Sequence, residues 1–260
     1  INKTLELVNY NFLELSDNSL IKKKNEVEID LNSLAKGYSV DLIENFLLKN
    51  GFNNFLIEIG GELKSSGKNG KSNWVVGISN PIEDDLYASI ILNDLSIATS
   101  GTYNNFFIYE NIEYSHIINP MDGYPIKHST KSVSVVAKNC IDADALATIC
   151  LLDENPYNAI RLIDKIDNVE AVILIEDSDG KIVKIQSERF EELLLNWFLS
   201  HFCLSKKVHV QGLSIELPQL PCRDFPLRIN PIDIIKKQNN IIKIVIIIML
   251  NMIKFNKWIY

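Results

Sequence analysis

The chain is poor in cysteine. Cys140, Cys150, Cys203 and Cys222 are the only four, and no two stand at a metal-ligating spacing, which excludes zinc-ribbon and finger-like sites. It also lacks a long apolar run. The nearest candidate, Ile241–Ile253, is broken by Lys243 and Asn251 and falls short of the ~20 residues a membrane span needs. No segment repeats at the period of a solenoid or propeller. Positive charge is scarce where it would matter for nucleic acid: residues 1–200 carry 17 Lys+Arg against 30 Asp+Glu, net −13. Without a basic stripe interleaved with aromatics, nucleic acid is excluded as a partner. No signal peptide is visible, but the chain opens on Ile1, so that absence says nothing about export.

What is present suits a folded enzyme core. Of 260 residues, 47% are hydrophobic, enough to bury a substantial interior. The patterning reads as strand, helix, several strands, a helix pair, two strands and a helix. This predicts an α+β (mixed α/β) domain over residues 1–200. Its last strands are expected at Val169–Glu176 and Lys181–Ile185, and its final helix near Ser187–Leu199. Composition then shifts: residues 201–260 hold 9 Lys+Arg against 3 Asp+Glu, and half of the eight prolines. This stretch, 201–260, reads as an atypical basic tail, either membrane-interfacial or the product of a shifted reading frame, the second being preferred. Lys22–Lys24 reads as a solvated turn.

Four segments carry the chemistry. Asp142-Ala-Asp-Ala-Leu-Ala-Thr148 reads as the opening of a helix, with Asp144 and Thr148 four residues apart on one face. A carboxylate and a hydroxyl so placed can both reach a hard cation, although a carboxylate in a first turn also suits the positive end of the helix. Upstream, Glu28-Ile-Asp-Leu-Asn-Ser-Leu-Ala-Lys-Gly-Tyr-Ser-Val-Asp41 reads as a strand around Val27–Leu31 meeting a helix. That helix has apolar positions at Leu34, Tyr38, Leu42, Ile43, Phe46 and Leu47, and ends at Asn50-Gly51. Lys36 falls in its first turn, where the helix dipole does not favour a cation. It is therefore either an ordinary solvated lysine or a charge held there for a phosphate or carboxylate. Phe55-Leu-Ile-Glu-Ile-Gly-Gly-Glu62 is a strand ending in paired glycines that let backbone approach a ligand or simply turn. Trp74–Pro81 is a further strand. Finally Ala98-Thr-Ser-Gly-Thr-Tyr103 is followed by Tyr114-Ser-His-Ile-Ile-Asn-Pro-Met-Asp-Gly-Tyr-Pro125, a strand carrying His116 and then a turn. Cys150, on the helix of Thr148, reads as packed.

In this order, the segments Asp-Leu-Asn-Ser-Leu-Ala-Lys-Gly-Tyr-Ser-Val-Asp, Ile-Gly-Gly, Thr-Ser-Gly-Thr-Tyr, His-Ile-Ile-Asn-Pro-Met-Asp-Gly-Tyr-Pro and Ala-Asp-Ala-Leu-Ala-Thr closely resemble the ApbE family of FAD:protein FMN transferases. The resemblance covers roughly Leu5 to Phe190. It implies an enzyme that binds FAD and Mg²⁺, with Mn²⁺ as an alternative, and moves FMN onto a threonine or serine hydroxyl of a target flavoprotein. AMP is released. The target implied is a subunit of a membrane redox complex, and the location extracytoplasmic or membrane-associated. By the same resemblance Asp144, Thr148 and the backbone carbonyl of Ser33 would bind the metal. Asp30 and Lys36 would line the FAD site, and Ile118 would contact the dinucleotide. His116 is the candidate catalytic residue, as a base or phosphate-positioning group; an imidazole of ordinary pKa ~6.5 suits proton removal near neutrality.

Two positions depart from the family pattern: Asn119 stands where Asp is usual before Pro120, and Thr102 where Asp often follows Thr-Ser-Gly. Both read as tolerable at turn or hydrogen-bonding positions. The chain at once resembles the middle of a family member, so a domain truncated at its N-terminus is expected, without the region that contacts the flavin and adenosine. Two alternatives remain at this point: an FAD pyrophosphatase giving FMN and AMP, and a non-catalytic flavin-binding remnant.

Overall fold

The computed structural model describes residues 1–195 other than 18, 104–105 and 111. The expectations for residues 201–260, including Cys203 and Cys222, lie outside the described residues. Among the described residues no helix is long and apolar enough to cross a membrane.

The elements are α1 (Asn2–Leu5), β1 (Leu13–Leu15), β2 (Leu20–Lys22), α2 (Asn32–Lys49), β3 (Phe55–Ile59), β4 (Glu62–Ser66), β5 (Trp74–Ser79), β6 (Leu86–Leu92), β7 (Ser96–Gly101), β8 (Phe106–Tyr109), β9 (Ile112–Ser115), β10 (Thr130–Ala137), α3 (Cys140–Leu152), α4 (Pro156–Ile163), β11 (Glu170–Glu176) and β12 (Ile182–Gln186). Six of the strands form one antiparallel sheet in the order β12-β11-β10-β7-β4-β3. β1 with β2, β5 with β6 and β8 with β9 make separate antiparallel pairs. This is the α+β domain that the patterning predicts.

Side chains alternate across the sheet, as the pleat requires. Ala98, Val133, Val135, Ala171 and Ile173 join a core with Leu34, Ala145, Leu146 and Ile149 from the helices. On the opposite face, Ile97, Val136, Val172 and Leu174 pack with Val76, Ile78, Ile90 and Leu92 of the β5–β6 pair, and with Phe190. The sheet is thus covered by helices on one side and a strand pair on the other. β10 is buried along nearly its whole length, as expected of a strand covered on both faces.

Three expectations need correction. Val27–Leu31 forms no strand. Val27 is buried in the core, but the segment pairs with no neighbour, and Lys22 Nζ donates instead to the carbonyls of Asn25 (2.9 Å) and Val27 (2.8 Å). Helix α2 forms where predicted, but its fully buried positions are Leu34, Gly37 and Val40, while Leu42, Ile43 and Phe46 are exposed. The apolar stripe faces inward only in part: Leu34 is buried and Tyr38 and Leu47 pack against the core, while the closest contact of α2 runs through a glycine. The described part of the final helix, Ser187–Leu199, is a short 3-10 turn over Phe190–Leu193. After it the chain extends along β6, with Leu195 N–H donating to the Ser89 carbonyl at 2.9 Å, and that strand-like pairing overrides helix propensity.

Candidate active site at the α2–α3 contact

Two helices meet here with unusually little between them. A Cβ at Gly37 would lie 2.5 Å from the Cys140 carbonyl oxygen and 2.8 Å from the Ile141 Cα, so glycine alone lets the backbones approach. Two carboxylates tie the contact. Asp41, one turn beyond Gly37, accepts hydrogen bonds from the N–H groups of Cys140 (2.8 Å) and Ile141 (3.0 Å). It serves as the N-terminal cap that α3 lacks from its own side chains, since Asn139 makes no capping bond. In return Asp144 of α3 accepts the Gly37 N–H at 2.9 Å through Oδ2.

Asp144 is buried, and its other oxygen accepts no hydrogen bond among the described residues. Burial pushes its carboxyl up to about 7, with Glu62 adding to the push and the Gly37 N–H and Lys36 opposing it. Asp41 is pushed up to about 6, again by burial, against the pull of its two backbone donors. One turn after Asp144, the Thr148 hydroxyl lies 3.2 Å from the Ser100 hydroxyl at the end of β7 and 3.3 Å from the Asp144 carbonyl oxygen. The predicted shared face of Asp144 and Thr148 is therefore real.

Lys36, the fifth residue of α2, places its ammonium on Glu62 Oε1 and 3.5 Å from the Gly60 carbonyl. Its unfavourable place on the helix is offset by this buried carboxylate. Burial raises the Glu62 carboxyl and Lys36 pulls it back. Gly60 and Gly61 both adopt positive φ, 59° and 97°, and form the turn from β3 into β4.

The other sequence candidates are placed as follows. Ser33 lies in the first turn of α2, ahead of Lys36. Asp30 precedes it, and its carboxylate accepts from the Asn32 N–H (2.8 Å) and the Asn32 side-chain amide (3.0 Å), a local turn that starts the helix. His116 is exposed and stands just past the end of β9 rather than on the strand. Its neighbour Ile117 packs in the core that holds Leu34 and Ala145, which fixes this segment to the helix layer. Ile118 is buried and bridges to Pro125. Asn119 accepts the Met121 N–H at 2.9 Å, a turn that an aspartate would make equally well. The Thr102 N–H reaches the Lys131 carbonyl at 2.9 Å. Cys150 is buried and its thiol pushed up to about 12 by burial, a packed residue.

Sequence reasoning missed Gly37, Asp41, Glu62 and Ser100 as parts of this place. Gly37 and Asp41 stand four residues apart in the Glu28–Asp41 stretch, a spacing that puts them on one helical face.

The oxygens of Asp144 and Thr148 are the hard donors that Mg²⁺ or Mn²⁺ takes. A buried carboxylate held at about 7 also fits such a site, because a cation would supply the missing positive charge. Among the described residues no group of three His, Cys, Asp or Glu side chains forms a ready-made cage. A cation here would have to complete its shell from backbone, water or substrate oxygens.

An antiparallel sheet backed by helices, with a buried acid and hydroxyl at the contact of two of them, defines an α+β domain. The family model for the ApbE family matches residues 1–173, and the chain belongs to that family. It is 34% identical over 172 residues to the FAD:protein FMN transferase of Vibrio cholerae, covering 65% of this chain and 51% of the relative. With that of Haemophilus influenzae it shares 36% identity over 181 residues, covering 67% and 51%. The chain thus spans about half the length of these curated relatives. Among solved structures, the flavin transferase ApbE from Vibrio cholerae aligns with a TM-score of 0.66 at 29% identity, covering 74% of this chain and 61% of that one. The Pseudomonas stutzeri flavinyl transferase ApbE aligns at 0.65 and 30%, covering 74% and 59%.

Proposed function

We propose that this chain carries the metal- and phosphate-facing half of a flavin transferase, moving FMN from FAD to a threonine or serine hydroxyl of a target flavoprotein and releasing AMP. The observation that carries the reading is Asp144: buried, with one oxygen tied to Gly37 and the other accepting no hydrogen bond among the described residues, near the Thr148 hydroxyl. The family membership and the printed names of the relatives support it.

In this reading Asp144 and Thr148 hold Mg²⁺ or Mn²⁺ with the Ser33 carbonyl. When bound, the ion supplies neutralisation of charge building on the leaving AMP. Lys36 faces a phosphate oxygen, and Gly60–Gly61 leave backbone room for the pyrophosphate. The acceptor hydroxyl attacks the FMN phosphorus, the bond to the bridging oxygen breaks, and AMP departs with that oxygen. His116, exposed on its segment, takes the hydroxyl proton. Ile118 contributes through its backbone beside the dinucleotide, since its side chain is buried. Asp30 acts at the FAD site by fixing the turn into α2. Positioning and charge do most of the work, as is usual for phosphoryl transfer. The partner is a flavoprotein subunit of a membrane redox complex, met on the extracytoplasmic side.

The test is incubation with FAD, Mg²⁺ and an acceptor domain, followed by intact-protein mass spectrometry. An FMN-sized gain on the acceptor, abolished by chelator, is expected. Release of FMN and AMP without any gain would replace the transferase with a pyrophosphatase. No FAD consumption would refute both.

A further inference from the structure

Glu62 has no part in the reading above, yet it is the most deeply buried charged side chain beside Lys36. Its side chain is 2% exposed, whereas that of Lys36 is 45% exposed. One carboxylate oxygen meets the ammonium, and the other is buried with no hydrogen-bond partner from any other of the described residues. A buried carboxylate tolerates that only if its charge is answered, so Lys36 is what keeps it there. The dependence runs both ways. An ammonium has three donors on a flexible stem. Here one is fixed on Glu62 and a second is within 3.5 Å of the Gly60 carbonyl, so the third is directed by the other two.

The surroundings are shaped for this. A Cβ on Gly60 would lie 3.2 Å from Lys36 Cδ, so the glycine clears the path of the lysine stem. At Gly61 a Cβ would meet nothing within 4 Å, which leaves that side of the turn open. The ammonium therefore stands with a buried anion behind it and open backbone beside it.

We infer that Glu62 is a positioning residue, which holds the Lys36 ammonium at the Gly60–Gly61 turn so that its remaining donor receives a phosphate or pyrophosphate oxygen. This rests on the reading of Lys36 as the phosphate-facing group.

The test uses the full chain and inorganic pyrophosphate. Lys36 is acetylated with acetic anhydride over a pyrophosphate titration, and the modification is read by peptide mass spectrometry. Pyrophosphate protects Lys36 in the parent chain. In Glu62→Gln the concentration for half-protection rises about ten- to hundredfold, the loss expected when a charge-assisted hydrogen bond is removed. Glu62→Asp, which keeps the charge at shorter reach, falls between, and it carries the test if the glutamine variant does not fold. By calorimetric titration in a Lys36→Gln background, Glu62→Gln causes no further loss of pyrophosphate affinity. Equal protection in parent and Glu62→Gln, no protection in the parent, or an additive loss in the Lys36→Gln background would each overturn the assignment. Protection of Lys36 without FMN transfer would sink the transferase reading while upholding the role of Glu62.

Discussion

Replacing Asp144 by asparagine should make the metal-free protein more stable while removing the metal ligand proposed for it. Asparagine is nearly isosteric, and its carbonyl oxygen can still accept the Gly37 N–H that Asp144 accepts at 2.9 Å. What disappears is a buried negative charge. Asp144 moves from an ordinary 3.8 to about 7 in the folded protein, with burial as the main cause. Folding therefore favours the protonated acid. That contribution is fully present below pH 3.8, declines as pH rises, and is gone above about 7. A shift of this size corresponds to about 4 kcal/mol between the two limits, an upper bound once relaxation and water entry are allowed. Asp144→Asn should recover about 1–3 kcal/mol of it at pH 8.5, or several degrees in Tm for a domain of this size. The gain should shrink steadily toward pH 4. Urea denaturation in chelator at pH 5, 7 and 8.5 measures it. Adding Mg²⁺ should stabilise only the parent chain, in proportion to occupancy. A variant less stable than the parent at pH 8.5, or a gap independent of pH, would refute the account of Asp144 as an uncompensated buried charge.

Gly37→Ala gains about 1 kcal/mol of helix propensity but drives a methyl group into the α3 backbone; the net expectation is a loss of about 1–3 kcal/mol, read by the same urea titration. An unchanged midpoint would show that the helices separate freely. Thr148→Val removes the hydroxyl shared with Ser100 without changing side-chain volume much; Mg²⁺ affinity in the presence of FAD should fall about tenfold or more while Tm moves little, and an unchanged affinity would remove Thr148 from the metal site. Phe190→Ala should cost about 3–5 kcal/mol, because Phe190 is wholly buried against the β5–β6 pair; a loss under about 1 kcal/mol would mean that this face of the sheet repacks.

Much of the fold was legible because its signals were local. The strand Phe55–Ile59 followed by two glycines, and the helix carrying Asp144 and Thr148, depend on periodicity and turn chemistry, and both appear where expected. The failures share a different cause. Val27–Leu31 alternates like a strand, but a strand needs a partner, and none lies alongside among the described residues. Ser187–Leu199 has helical composition, but its described end is captured by the open edge of β6. The apolar positions of α2 divide: Leu34, Tyr38 and Leu47 pack inward while Leu42, Ile43 and Phe46 are exposed, because a small residue rather than a large one decides which face comes closest to α3.

The same argument explains which parts of the candidate site could be read. Asp144, Thr148 and Lys36 are donors whose chemistry is visible in their own side chains. Gly37, Asp41 and Glu62 act only through what they touch: a backbone approach, the first amides of α3, and the lysine ammonium. A glycine inside a helix reads as a cost until a second helix is known to press on it. Asp41 in mid-helix reads as a solvated residue until it is seen capping another helix 99 residues away in sequence. In the pair Asp41 and Asp144, each carboxylate crosses the same contact in the opposite direction, one to Cys140 and Ile141, the other to Gly37. Separating α2 from α3 by the width of one methyl group would loosen both bonds together. Precision at Asp144 is thus a property of the helix pair, and a substitution at Gly37 should disturb the chemistry of a carboxylate 107 residues away.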